Sequence, residues 1–155
     1  VLLNVTENLQ LGAASADVWQ LLRDTKRLAE LVPGVQSVEP VESANKETYR
    51  VQVMEKVGPF KVTMKLDVVV TETVELEILG ATVKGGDTAG MSRCTGTLRV
   101  ELTPSAEQTS MSLLVNVEVL GKLAALGSPV IRRRVSELFN EFGRRVVAEF
   151  GVGKS

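Results

Sequence analysis

From Val35 to Leu120 apolar and polar residues alternate with a period of two, which commits more than half of this chain to β-structure. Strands are expected at about 35–44, 47–57, 60–72, 73–84, 90–103 and 108–120. Asn45-Lys46, Gly58-Pro59, Gly85-Gly86-Asp87 and Pro104-Ser105-Ala106 supply the turns between them. The run after Pro59 is the clearest. Phe60, Val62, Met64, Leu66, Val68 and Val70 fall on one face, and Lys61, Thr63, Lys65, Asp67 and Thr71 on the other. A sheet with one wet face needs an apolar cover for its second face.

The C-terminal segment can supply that cover. Ser128-Pro129 can cap and open a helix, with proline at its tolerated first position. Ile131, Val135, Leu138, Phe139, Phe142 and Val146 then fall within one arc at 100° per residue, with Arg133, Asn140 and Arg144 opposite. Before the sheet, residues 1–12 read as a first strand. Ser15 is placed to cap a helix carrying Val18, Trp19, Leu21 and Leu22, and Asp24-Thr25 restarts the chain as a second helix, Lys26 to Val32, ended by Pro33-Gly34. This order describes one α+β domain over residues 1–155, a helix-grip fold. Its curved antiparallel sheet of about seven strands wraps a long C-terminal helix, with two short helices after strand one.

Composition narrows the chemistry. With no histidine there is no Ser-His-Asp or Cys-His system and no imidazole base, and the single cysteine excludes intrachain disulfides and cysteine-cluster zinc sites. Eighteen basic against 19 acidic side chains give a net charge of −1, which argues against nucleic acid as a partner. No basic region followed by an apolar run opens the chain, and no hydrophobic anchor follows Phe150, so the expected compartment is cytoplasmic. Asn4-Val5-Thr6 matches a glycosylation sequon and reads as chance on a strand. Gly151-Val152-Gly153-Lys154-Ser155 resembles the end of a phosphate loop, but Ala148 replaces the required glycine and no helix follows, so a frayed tail is expected.

Several segments together resemble the carbon monoxide dehydrogenase G-subunit family, within the START/polyketide-cyclase (birch-pollen-allergen-like) superfamily. They are Val18-Trp19 with Asp24, Leu31-Val32-Pro33-Gly34-Val35, Val57-Gly58-Pro59, and Gly121-Lys122-Leu123-Ala124-Ala125-Leu126-Gly127. The resemblance runs from about Val5 to Phe150. It implies a non-catalytic accessory protein of a molybdenum hydroxylase that binds a lipophilic quinone or lipid and no covalent cofactor. It also implies peripheral contact at the inner face of the membrane. Leu66 departs from the family pattern, which favours a small residue there. The alternatives are a cyclase or dehydrase enzyme, for which Glu55 and Arg93 are the titratable entrants to the interior, and an assembly factor without ligand.

The residues themselves suggest a ligand between sheet and helix. Val62, Met64, Leu66 and Val68 on one strand and Leu98 and Val115 on others face Leu138, Phe139 and Phe142, with Trp19 and Pro33 closing one end. Only 4% of residues are aromatic, so the lining is mostly aliphatic and suits a flexible isoprenoid or acyl chain. Met64 and Met111 fit either lining or core, and Cys94 is expected as a buried small hydrophobe. Lys122, Arg133 and Arg134 are candidates for docking a partner. The competing reading is a solvated helix face, because Glu137 and Glu141 interleave with the arginines.

Overall fold

A computed structural model describes residues 1–42 and 45–154. The chain runs through β1 (Leu2–Leu11), α1 (Ser15–Arg23), α2 (Thr25–Glu30), β2 (Val35–Pro40), β3 (Thr48–Val57), β4 (Phe60–Val74), β5 (Ile78–Asp87), β6 (Ser92–Ser105) and β7 (Gln108–Gly121). A 3-10 turn (Leu123–Leu126), α3 (Ser128–Phe150) and β8 (Val152–Lys154) complete it. The sheet is antiparallel in the order β2-β3-β4-β5-β6-β7-β1-β8. This is the helix-grip architecture, with seven strands plus the short β8.

The register places the alternating residues as the sequence requires. Leu66 lies opposite Val51 and Gly85, Val83 opposite Gly96, and Leu98 opposite Val115, so one face of the sheet is apolar from β3 to β1. Two packed clusters seat α3 on that face. The larger joins Val5, Leu9, Leu11, Val18, Trp19, Leu22, Val100, Leu102, Met111, Leu113, Val115, Phe142 and Val146. The smaller joins Leu3, Val62, Val119, Leu123 and Ile131 beneath the start of α3. α3 therefore rests chiefly on β1, with lighter contact to β3.

Gly85 and Gly96 let the sheet curve. A Cβ on Gly85 would stand 2.0 Å from the Lys65 carbonyl oxygen, and one on Gly96 would stand 2.3 Å from that of Asn116. Neighbouring backbones approach at both points too closely for any side chain.

Several expected boundaries move. The β4–β5 turn falls at residues 75–77 rather than near 72–73, with Leu76 at φ +66°. Gly85-Gly86-Asp87 completes β5 instead of forming the turn. The strand expected over 35–44 ends at Pro40, and Ser43 and Ala44 lie outside the described residues. α2 ends at Glu30, two residues short of Val32. Gly127, not Ser128, holds the cap position of α3. Ser15 makes no cap; its hydroxyl meets that of Thr109 at 3.1 Å, and Thr109 donates to the Ala13 carbonyl at 2.8 Å. Asp24 does cap α2, accepting from the Arg27 N–H at 3.2 Å. The segment expected to fray pairs instead: Val152–Lys154 runs antiparallel to Leu9–Leu11, while Ser155 lies outside the described residues. Among the described residues no helix is long and apolar enough to cross a membrane.

Candidate ligand-binding cleft

Beyond the two clusters the apolar face continues over β3, β4 and β5, where Val51 is buried opposite Leu66 and the residues around it are less covered. Val53, Leu66, Val68 and Val83 point to the α3 side of the sheet, are only half-buried, and belong to neither cluster. Leu138 of α3 shares both properties. Helical spacing explains its direction. Arg134, four residues earlier, reaches Glu55 on β3, and Arg145, seven later, donates to the Leu31 carbonyl at 3.5 Å. The flank of α3 that carries Leu138 therefore looks across to β3 and to the segment after α2.

Polar ties frame this cleft. At one end Arg27 of α2 pairs with Glu149 of α3 at 2.7 Å, and Arg23 pairs with Glu47 just before β3 at 2.7 Å. They hold α1 and α2 over the end of the sheet, with Leu28, Leu31 and Val32 packed on the larger cluster and Pro33 half-buried beside them. At the other end Glu55 and Arg134 form an ion pair and hydrogen bond between β3 and α3, and Arg134 also binds Glu137 at 3.1 Å. The Glu55 carboxylate, more than any other group, holds the Arg134 guanidinium charged and raises its pKa.

The expected ligand residues divide into two sets. Trp19, Val62, Val115 and Phe142 are buried within the packed clusters and form the floor on which the cleft stands. Met64, Leu98 and Phe139 lie half-buried at the cluster margins, and Leu66, Val68 and Leu138 lie in the open stretch beyond. Val53 and Val83 join that stretch. Sequence reasoning passes over both because it misplaces the β5 boundaries and does not divide β3 into faces, although parity with Leu66 is enough to find them. Met111 is core.

The docking candidates also separate. Lys122 stands 4.8 Å over the centre of the Phe60 ring, and Arg133 faces solvent with Glu137 at 3.2 Å. Arg134 is turned inward to Glu55. Nothing local in the sequence could have paired those two, which stand 79 positions apart. Arg93 sits opposite Gly86 and Leu120 on the outer face, and Asp87 accepts from the backbone N–H groups of Met91 and Ser92 at 2.7 and 3.1 Å. Among the described residues no group of three or more acidic or thiol side chains could hold a metal ion.

Cys94 lies on the inner face opposite Gly85 and Val119. Burial pushes its thiol pKa up, so the reactive thiolate is scarce near neutral pH. Alkylation of the native protein at pH 8 is expected to run at least about tenfold slower than that of an exposed cysteine, and to recover that rate in denaturant. Equal rates in the folded and unfolded states would place the thiol outside the sheet's inner face.

The same architecture occurs in solved structures. A conserved protein from Geobacillus kaustophilus superposes with a TM-score of 0.83 at 22% identity, covering 95% of this chain and 94% of that one. A START superfamily protein from Mycobacterium smegmatis gives 0.70 at 11%, covering 95% and 96%. The Zhui aromatase/cyclase from Streptomyces sp. R1128 gives 0.62 at 14%, covering 100% of both chains. At these identities the likeness is one of fold. No curated protein matches the chain in sequence. The family model for the carbon monoxide dehydrogenase G-subunit (CoxG), however, matches residues 8–150, so the chain belongs to that family.

Proposed function

We propose that this protein is a non-catalytic accessory protein that carries an apolar ligand, a quinone or lipid with a flexible tail, in the cleft between α3 and β3–β5. In this reading it serves a molybdenum hydroxylase, linking that enzyme to the membrane or its quinone pool. The observation that carries the proposal is the row of half-buried aliphatic side chains, Val53, Leu66, Val68 and Val83 on the α3 side of the sheet and Leu138 on α3, none of which belongs to either packed cluster. Exposed apolar surface on a concave face is costly in water, and each methylene it buries is worth about 0.8 kcal/mol. Several such contacts support micromolar binding after ordering costs. Family membership supports the accessory role and its hydroxylase partner. An acid–base enzyme has less support. Glu55 is engaged by Arg134, Asp87 by backbone N–H groups, and Arg93 lies on the outer face.

The test is solvent extraction and mass spectrometry of the purified protein, followed by titration with a quinone bearing an isoprenoid tail. Saturable binding is expected, together with slower Cys94 alkylation as the inner face fills. Leu66→Trp should fill the cleft and weaken binding at least about tenfold. Its effect on stability should be small, because overpacking strain is relieved where space exists. Absence of extracted lipid, of saturable binding and of any Leu66→Trp effect would overturn the reading.

A further inference from the structure

Five of the six aromatic side chains are already packed. Trp19 and Phe142 are buried in the larger cluster, Phe139 and Phe150 pack on it, and Phe60 packs on the smaller one beneath Lys122. Tyr49, the sole tyrosine, belongs to neither cluster and is half-buried. The register places it on the α3 side of the sheet, directly opposite Val68, which in turn lies opposite Val83. Tyr49 therefore extends the open aliphatic row by one position toward the start of β3.

Its hydroxyl is engaged. The Tyr49 O–H donates to Glu47 at 2.8 Å, and Arg23 of α1 donates to the second oxygen of the same carboxylate at 2.7 Å. Burial works against the charge on Glu47, but the hydrogen bonds from Arg23 and Tyr49 outweigh it and hold the carboxyl below its usual pKa. This network anchors the phenol at its tip, so what Tyr49 has left to offer a ligand is its ring. The two ends of the row also differ in openness. Glu55 keeps 14% of its side chain exposed, and the Gly34 backbone stands so close that a Cβ there would meet Glu55 Oε1 at 2.6 Å. Glu47, at the opposite end, keeps 34%. From Tyr49 to Glu55 the strand advances six residues, about 20 Å, enough for a chain of several isoprene units.

We propose that Tyr49 receives the flat ring of the ligand's head group, with the tail running from it past Val68 and Leu66 toward Val53 and Leu138. The inference rests on the carrier reading above and adds which end takes the head and which class of head it takes. A planar unsaturated ring gains contact with an aromatic face beyond the area it buries, whereas an aliphatic head gains area alone. The head selected is a planar carbonyl-bearing ring rather than the glycerol or carboxylate of an acyl lipid. Arg23 uses one N–H on Glu47 and has others able to donate to a ring carbonyl. Its charge is already met by Glu47, which stands against an anionic head.

The full chain labelled with 3-fluorotyrosine gives a single fluorine NMR resonance, because Tyr49 is the sole tyrosine. That resonance is expected to shift saturably on titration with a quinone bearing an isoprenoid tail, and far less with an isoprenoid alcohol of the same tail. Tyr49→Leu should weaken quinone binding by at least about tenfold and alter alcohol binding by less than about twofold. Tyr49→Phe keeps the ring and should bind quinone within about threefold of wild type. The resonance requires no substitution, so it decides the matter even where a variant fails to fold. Quinone binding that leaves the resonance unmoved, or a folded Tyr49→Leu that binds quinone as wild type does, overturns the role of Tyr49 and leaves the carrier reading standing. An equal loss of both ligands in Tyr49→Leu overturns it too, because the side chain would then only support the row. If neither ligand binds, the carrier reading falls and this assignment falls with it.

Discussion

Replacing Phe142 with alanine is expected to cost about 3–5 kcal/mol, the largest loss for any single truncation on α3. The ring is 6% exposed and sits in the cluster that joins α3 to β1, β6, β7 and α1. Its removal leaves a void bounded by several elements that cannot all move inward, so transfer and cavity terms add. Against a typical domain stability of about 5–15 kcal/mol this is a large fraction. Leu138→Ala provides the contrast. Leu138 is half-buried and outside both clusters, so its truncation should cost about 1 kcal/mol or less. Urea unfolding with an unchanged m-value separates the two. Equal losses would mean that α3 rests on the sheet by a different flank, and the proposed cleft would then be packed core.

Gly85→Ala should be nearly as severe, at about 3 kcal/mol or more, although it adds a single methyl group. The added Cβ would lie 2.0 Å from the Lys65 carbonyl oxygen and 2.9 Å from the Leu66 Cα, both backbone atoms of β4. A side chain could turn aside, but here β4 and β5 must separate, and their separation breaks ladder bonds on either side of position 85. Because Leu66 is the residue displaced, the damage should also reach the cleft, so binding of a tailed quinone should weaken along with stability. Thermal unfolding and the same titration read both effects. Wild-type stability in Gly85→Ala would show that the sheet is flatter here than the register implies.

The order of elements was legible because alternation and helical periodicity are local properties. Val62 to Val70 declare the inner face of β4 by parity, and Ile131 to Val146 declare the buried arc of α3 by a 100° step. The β4–β5 hairpin escapes detection for an equally local reason. Residues 75–77 are Glu-Leu-Glu, with no Gly, Pro, Asn or Asp to mark a turn, and Leu76 is driven to positive φ by the strands it connects.

The sequence by itself thus determined the order of strands and helices, the apolar face of β4 and of α3, and what chemistry is absent for want of histidine and a second cysteine. Only the tertiary structure decided how those faces meet. Phe142 and Leu138 are alike in sequence pattern, yet one is packed and the other half-open, because α3 lies chiefly along β1 and meets β3 more lightly, with Arg134 bound to Glu55. The contacts that set this arrangement join distant segments: the close strand approaches at Gly85 and Gly96, Thr109 bound to Ala13 at the start of α1, and an ion pair between residues 79 positions apart. Periodicity reports where a side chain points. Whether anything fills the space it points into depends on contacts between segments distant in sequence, which no local pattern encodes.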